Sequence, residues 1–258
     1  FDEPMDTARV EAAFSSPDIG SVTFSWNEAG DQFTATPTQP LDYAAGDAPS
    51  PSSLSLIEAR EYSFTIGTGA EDIAGNALDR EETYSFTTLR QVRLTLGQDL
   101  SRSGSASSTD QRFAGFRVGD GDANQEWRAG AAFRLAAIAP APVDVLSASV
   151  EIGDCCFAYV GAPFGGGGNG TIELYAASFI DTDWAGLSGN ATRIGTIMSM
   201  RSQSLPTLDA SAFVQADFNA GSDFTVFRFQ FSNGAVSNGV ADNVIAGQPR
   251  LRIEVLVP

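Results

Sequence analysis

An all-β fold built from β-sandwiches is predicted for this chain, and three observations support it. Short runs rich in Val, Ile, Thr, Phe and Tyr recur along the sequence, and Gly, Pro, Asn, Asp or Ser bound each run. Apolar and polar residues alternate within several runs, which is the period of a strand with one buried face. Helical periodicity is weak throughout, so antiparallel sandwiches or jelly rolls are favoured.

The strand prediction covers nine runs. They are residues 21–26, 32–36, 61–67, 83–88, 91–96, 147–152, 171–176, 225–231 and 250–257. One strand face is expected to lie in the core, and its members are Thr225, Phe227, Phe229 and Phe231. Short helices are predicted at 8–14 and 209–218, with Asp209 as the N-cap of the second.

A chain of 258 residues is long enough for two ordinary domains. The predicted closing strand at 83–88 is followed almost at once by a new strand that starts at Gln91. We therefore predict a first domain at 1–89 and a second at 91–258. The segment 49–53, rich in Pro and Ser, is interpreted as a loop of the first domain.

The composition removes most enzyme chemistry. The chain has no His, and all 15 of its basic residues are Arg, so it has no Lys. Without imidazole there is no Ser or Cys triad, and without an amine there is no Schiff base. Carboxylates remain, but no spacing marks a glycosidase pair. We therefore expect a protein that is not an enzyme.

The net charge of −17 predicts which partners the chain avoids. Nucleic acids and anionic membranes bind basic patches, so neither is an expected partner. No membrane span is predicted either, because the longest apolar run, at 129–142, is interrupted by Arg134 and Pro140.

The first domain contains three motifs in order, EPMD at 3–6, DIAGNAL at 72–78 and YSFTT at 84–88. In these motifs and their order it resembles a bacterial Ig-like family of surface-layer and secreted proteins. The family has a strand, and most of a second, before the EPMD turn, whereas this sequence starts at that turn. The resemblance implies an Ig sandwich with an open edge, which a partner strand could fill.

The second domain contains five motifs, RVGD at 117–120, NQEWRA at 124–129, AFRLAAI at 132–138, VLSASV at 145–150 and PRLRIEV at 249–255. In these motifs it resembles secreted jelly-roll modules of wall proteins, similar to carbohydrate-binding modules and of the DNRLRE type. They are strand and turn positions. The resemblance implies a jelly-roll β-sandwich that binds polysaccharide or serves a structural role.

Calcium is the one cofactor that the sequence suggests. Oxygen-bearing residues recur at every second position in Asp120, Asp122, Asn124 and Glu126, which is the opening spacing of a calcium loop. The later positions do not fit an EF-hand, because Gln125 stands where Gly is required. The alternative is a polar β-turn, since turns use the same residue types.

A ligand surface is predicted around aromatic residues. Asp181 and Asp183 flank Trp184, and an exposed indole beside polar groups is typical of sugar binding. Trp127 and Tyr159 are further candidates for ligand binding. The alternative is that these rings are half-buried between the sheets.

The two cysteines, Cys155 and Cys156, are adjacent in sequence. A disulfide between them would be strained, because neighbouring Cα atoms lie about 3.8 Å apart and ordinary disulfides span about 4.4–6.8 Å. The alternative is two free thiols on opposite faces of a strand.

The leading functional hypothesis is a non-catalytic module, extracellular or on the cell surface, that mediates adhesion and binds glycan through the jelly roll. The alternative is a structural subunit of a surface layer or filament, assembled by strand complementation between subunits. The expected partners are therefore polysaccharide or neighbouring copies of the same protein.

Overall fold

Strands make up 48% of the described chain and helices 11%, which confirms the predicted all-β class. The structure is a computed structural model that describes residues 1–48, 50–51, 54, 57–121, 123–152, 157–164, 170–178, 181–199, 205–234 and 240–258. It divides into unit 1, with residues 1–45, 57–91 and Pro258, and unit 2, with residues 46–56 and 92–257. In these described ranges, no helix has the length and apolar content that a membrane crossing requires.

All nine predicted strands overlap observed strands. In chain order the helices and strands are α1 (Thr7–Ala13), β1 (Phe14–Ser15), β2 (Val22–Trp26), β3 (Phe33–Pro37), β4 (Ala44–Ala48), β5 (Glu61–Ile66), β6 (Glu82–Thr87), β7 (Arg90–Gly97), β8 (Gly104–Ser107), β9 (Arg112–Phe113), β10 (Phe116–Asp120), β11 (Glu126–Arg134), β12 (Asp144–Ile152), β13 (Ala158–Val160), β14 (Ile172–Ala177), α2 (Trp184–Ser188), β15 (Ala191–Met198), β16 (Leu208–Asp209), α3 (Ser211–Asn219), β17 (Phe224–Phe231), β18 (Asn243–Ala246) and β19 (Pro249–Val257). A 3-10 turn at Leu135–Ala137 follows β11.

Unit 1 contains a three-stranded sheet, in the order β1-β5-β6, and the hairpin β2-β3. The predicted first helix is confirmed as α1. It begins after Asp6 because this carboxylate accepts hydrogen bonds from the N–H groups of Ala8 and Arg9, each 3.1 Å long. Its Val10 is fully buried in a cluster that includes Ile66 of β5.

An aromatic row connects the hairpin to the three-stranded sheet of unit 1. Phe14 of β1 lies 5.2 Å from Phe24 and 5.5 Å from Phe64, measured between ring centroids. Phe64 in turn stacks on Tyr84 of β6 at 5.2 Å. An apolar groove of about 300 Å³ lies beside this row and extends to Phe86.

One carboxylate holds the turn at 72–78, which carried part of the Ig-like resemblance. Asp72 is 4% exposed and accepts hydrogen bonds from the N–H groups of Ala74 and Asn76, each 2.8 Å long. The side-chain amide of Asn76 donates a third, at 2.6 Å. This side-chain bond, followed by the backbone bonds, lowers the pKa of Asp72 below its ordinary value.

Unit 1 is therefore expected to lose stability as the pH falls below about 3.8. A carboxyl whose pKa is lowered in the folded state stabilises the fold above its unfolded-state pKa, and this contribution disappears as the pH falls through the folded-state pKa. Asp72→Ala should be less stable at neutral pH and lose less stability on acidification, whereas Asp79→Ala, at an exposed position, should follow the wild type. Melting curves recorded through the fluorescence of Trp26, in a Trp127→Phe/Trp184→Phe background and from neutral to acidic pH, test this. Equal acid sensitivity in both variants would contradict it.

Unit 2 is a sandwich of two sheets. The larger has nine strands: seven in the order β13-β18-β10-β11-β17-β14-β15, with β8 paired to β11 and β9 paired to β8. The smaller has the order β16-β12-β19-β7-β4. The predicted core face is confirmed, since Phe227, Phe229 and Phe231 are all buried.

The interpretation of 49–53 as a loop of the first domain differs from the observed division, because 46–56 belongs to unit 2.

Helix α3 confirms the second predicted helix, but its predicted N-cap is wrong. Asp209 belongs to β16, where it is paired with Ser149 of β12, so its backbone is extended. The helix begins at Ser211 after Ala210. The Asp209 carboxylate instead accepts a 2.9 Å hydrogen bond from the N–H of Ser211, which couples the strand to the helix.

Candidate functional site

Trp184 and its neighbours lie on a surface formed by α2 and the β8-β9 hairpin of unit 2. Asp183 is the N-cap of α2, and its carboxylate accepts a 2.7 Å hydrogen bond from the N–H of Gly186. The N–H of Trp184 donates a 3.3 Å bond to the carboxylate of Asp110, in the turn of the hairpin. These two bonds fix the position of the indole relative to the hairpin.

Arg112 of β9 contacts both predicted carboxylates. Its guanidinium nitrogens lie 3.4 Å from Asp181 Oδ1 and 3.6 Å from Asp183 Oδ2. Arg112 and Asp181 are both more than half exposed, so water screens these ion pairs and each costs little to break. We call Arg112, Asp181, Asp183 and Trp184 the Trp184 patch. It brings together three of the five predicted ligand residues.

The indole of Trp184 is held from one side by Arg128 of β11. The guanidinium carbon of Arg128 lies 4.7 Å from the ring centroid, which is within cation–π range. Arg128 is itself held by Glu126, at 2.7 Å, and by the carbonyl of Leu187, at 3.3 Å. The side chains of Arg128 and Glu126 are both largely buried, so their ion pair gives the Trp184 ring a rigid support.

A second arginine anchors the end of α2. Arg228 of β17 is only 6% exposed, and its guanidinium donates hydrogen bonds to the carbonyls of Leu187, at 2.9 Å, and Gly189, at 2.6 Å. These are carbonyls at the carboxyl end of the helix, where a cation also complements the helix dipole. Burial, followed by the nearby charge of Arg128, lowers the pKa of Arg228.

The network continues across two more strands. The guanidinium of Arg228 lies 4.9 Å from the ring centroid of Tyr175 in β14. The hydroxyl of Tyr175 donates a 2.6 Å hydrogen bond to Glu173, which also pairs with Arg193 of β15 at 2.8 Å. Burial, followed by the bond to Glu173, raises the pKa of Tyr175. One face of the sheet therefore carries linked charges from β11 to β15.

The other two predicted ligand residues lie outside the Trp184 patch. Trp127 is 4% exposed, and the guanidinium carbon of Arg117 lies 4.5 Å from its ring centroid. Tyr159 is half-buried on β13, where its ring packs against Phe157 and Phe164 at centroid distances of 6.1 Å. Tyr159 is therefore half-buried, as in the alternative prediction, and Trp127 is more deeply buried than that alternative expected.

The predicted calcium ligands occupy a turn and a buried network. Asp120 is fully buried, and its carboxylate accepts a 3.0 Å hydrogen bond from the N–H of Asp242. Asn124 has a left-handed backbone, with φ of 52°, in the turn between β10 and β11, and Glu126 pairs with Arg128. Among the described residues, no three acidic or thiol side chains converge on one point. Asp122 lies outside the described residues, so calcium binding stays a prediction.

Cys155 and Cys156 also lie outside the described residues, so their bonding stays a prediction as well.

A polar groove of about 420 Å³ runs over the smaller sheet of unit 2. Arg93 and Glu254 form an ion pair in it at 2.9 Å, and Ser147 and Ser149 add hydroxyl groups. Its described lining contains no aromatic side chain. The groove therefore offers hydrogen-bonding groups but lacks the flat apolar ring that sugar stacking requires.

The supporting residues of the Trp184 patch were not predicted as functional from the sequence. Arg128 and Arg228 lie in strands, and a strand pattern alone does not distinguish a buried arginine from an exposed one. One signal was present, because Arg228 stands between Phe227 and Phe229 and is the one charged residue of its strand. A charge in such a context is buried only when it has partners.

Comparisons of the chain with protein-family models and with curated proteins find no match.

Proposed function

We propose that this chain is a non-catalytic module, extracellular or on the cell surface, that binds polysaccharide at the Trp184 patch. The observation that carries the proposal is the half-exposed indole of Trp184, held from behind by Arg128 and edged by Arg112 and two carboxylates. A flat ring supports the apolar face of a sugar, and charged groups at its edge bind the hydroxyls. The Ig-like and jelly-roll resemblances support the same class of protein.

Rigidity is the physical reason to prefer this surface over the polar groove. Arg228 fixes the end of α2, Asp183 caps its start, and Arg128 holds the ring. A ring that is already ordered loses little rotational freedom when a ligand binds, so more of the stacking energy appears as affinity. The groove of the smaller sheet has no equivalent ring among its described residues.

The charge of the surface favours a neutral glycan. Asp110, Asp181 and Asp183 lie close to Arg112, and the chain as a whole carries a net charge of −17. An acidic polysaccharide would be repelled over several ångströms at physiological salt, whereas a neutral one would not. The absence of His and Lys supports binding without turnover.

Trp184→Ala is expected to weaken binding to a neutral polysaccharide at least about tenfold, because a lost ring contact worth about 1.4 kcal/mol has that effect. Glycan arrays with and without calcium would first identify a ligand, and calorimetry would then compare the variants. The matched control is Tyr43→Ala, which removes an exposed ring from unit 1 and should bind like the wild type. Arrays that stay blank in both buffers, or equal affinity of Trp184→Ala and the wild type, would overturn the proposal.

The second proposed function is that of a structural subunit assembled through strands. The observation that favours it is the edge strand β6, which has one strand neighbour in the described part of unit 1. The apolar groove reaches Phe86 of this strand, and Tyr84 and Phe86 are 50% and 41% exposed. Exposed aromatic rings on an edge strand are typical of a strand-pairing surface. The two functions use different units, so one protein can have both.

A further inference from the structure

The outer edge of β6 carries backbone groups that point away from the rest of the sheet. The N–H of Thr88 donates a 3.0 Å hydrogen bond to the carbonyl of Arg60, which continues the β5-β6 ladder by one position. Hydrogen-bonded positions alternate along an antiparallel pair. Phe86 and Tyr84 therefore bond to β5, whereas Thr83, Ser85 and Thr87 direct their N–H and C=O groups outward.

This edge lacks the features that usually protect an edge strand. From Thr83 to Thr87 there is no charged residue and no proline, and the pairing with β5 runs without a bulge. In the described part of unit 1, β6 has β5 as its one strand neighbour, so its other side is open. The exposed rings of Tyr84 and Phe86 lie along this open side.

We infer that β6 pairs antiparallel with β6 of a second copy of this chain, with Ser85 opposite Ser85 of the second copy. The inference rests on the second proposed function and names its partner and its register. In this register Ser85 and its counterpart exchange both N–H···O=C bonds across the two-fold axis, and so do Thr83 and Thr87 of the other copy. Every outward backbone group from Thr83 to Thr87 is then paired.

The side chains fit the same register. Tyr84 faces Phe86 of the second copy at a position without backbone bonds, where facing side chains come closest. Within one copy, Phe64 already stacks on Tyr84 at 5.2 Å and Tyr62 on Phe86 at 5.9 Å. Pairing of the two copies joins these stacks into continuous aromatic rows across the axis, and it buries rings that are exposed in one copy.

Charge also favours a second copy in this register, despite the net charge of −17. The paired segment is uncharged, so no like charges face each other across the axis. The nearest acid, Glu82, is paired with Arg80 at 2.8 Å and faces Thr88 of the second copy. A strand from another protein could use the same edge, but the register in which β6 matches itself favours a second copy.

Sedimentation velocity over a range of concentrations tests the pairing. The wild type should form a dimer whose fraction grows with concentration. Ser85→Pro should weaken dimerisation at least about tenfold, because proline has no N–H and this N–H points away from β5. Ser85→Ala keeps the N–H and should dimerise like the wild type, which makes it the matched control. Circular dichroism checks that Ser85→Pro is folded.

Cysteine crosslinking tests the register and does not depend on the proline variant. In a background where Cys155 and Cys156 are replaced by Ser, Ser85→Cys should form a covalent dimer on mild oxidation, because facing Cα atoms of a bonded pair lie about 5.5 Å apart. Thr83→Cys faces Thr87 of the second copy and should not crosslink. The double variant Thr83→Cys/Thr87→Cys should crosslink.

The outcomes separate this inference from the function on which it rests. A wild type that is monomeric at every concentration would overturn both. An oligomer that persists in Ser85→Pro, together with no crosslink through Ser85→Cys, would overturn the β6 pairing. It would indicate that the copies assemble through another surface. A dimer that crosslinks only through Ser85→Cys and the double variant supports both.

Discussion

Arg228→Met is expected to lower the free energy of unfolding of unit 2 by about 3 kcal/mol, a large fraction of the stability of an ordinary domain. The guanidinium is 6% exposed and satisfies the carbonyls of Leu187 and Gly189 at the end of α2. Methionine fills similar space but donates no hydrogen bond. The carbonyl of Gly189 would then lose this donor, and that of Leu187 would keep only the 3.3 Å bond from Arg128. Removing one partner of a buried polar contact costs about 1–3 kcal/mol.

Urea unfolding measures this effect, in a Trp26→Phe background so that the fluorescence reports Trp127 and Trp184 of unit 2. Arg193→Met is the matched control on the same sheet, because its side chain is 52% exposed and its ion pair with Glu173 is worth less than about 1 kcal/mol. Arg228→Met should also weaken polysaccharide binding, since α2 carries Trp184. Equal stability of Arg228→Met and the wild type would show that Arg228 does not anchor α2.

Gly119→Ala is expected to destabilise unit 2 by about 3 to 5 kcal/mol. Gly119 lies in β10 with φ of +125°, a conformation that side chains rarely adopt. An added Cβ would lie 2.6 Å from Cα of Asn243 in β18 and would also meet the carbonyl oxygen of Asp242. Both of these atoms belong to the backbone, so β10 and β18 would have to move apart. The two hydrogen bonds between Asp120 and Asp242 would then be strained.

The matched control is Gly97→Ala at the end of β7, where an added Cβ meets nothing within 4 Å. It should leave the unfolding midpoint in urea nearly unchanged. Comparable losses in the two variants would mean that glycine is not required by the approach of β10 to β18. A soluble but unfolded Gly119→Ala, identified by circular dichroism, would agree with the upper end of the expected range.

The predicted ligand residues lie together in the structure where they are neighbours in sequence. Asp181, Asp183 and Trp184 lie within one short segment, so their proximity follows from chain connectivity. Trp127 and Tyr159 come from distant strands, and their placement depends on sheet order. Arg112 could not be assigned to the patch from sequence, because its ion pairs with Asp181 and Asp183 cross about seventy residues of chain.

Strand β11 illustrates why some elements were missed. It lies between β10 and β17 inside the nine-stranded sheet, yet it was absent from the predicted strands. Its centre, Ala129–Ala132, consists of Ala and Gly, which are depleted in strands on intrinsic preference. All four of these residues are buried. Packing in the centre of the sheet therefore outweighs their weak intrinsic preference for strand structure.

The sequence alone determined the all-β class, the nine strands with strong alternation, the core face of Phe227, Phe229 and Phe231, and the absence of imidazole and amine chemistry. These properties depend on composition and on a period of two residues, which are local. Only the tertiary structure decided that Arg128 and Arg228 support α2, that Trp127 is buried, and that β6 has an open side among the described residues of unit 1. Each of these depends on which distant strands become neighbours, and strand alternation carries no information about that order.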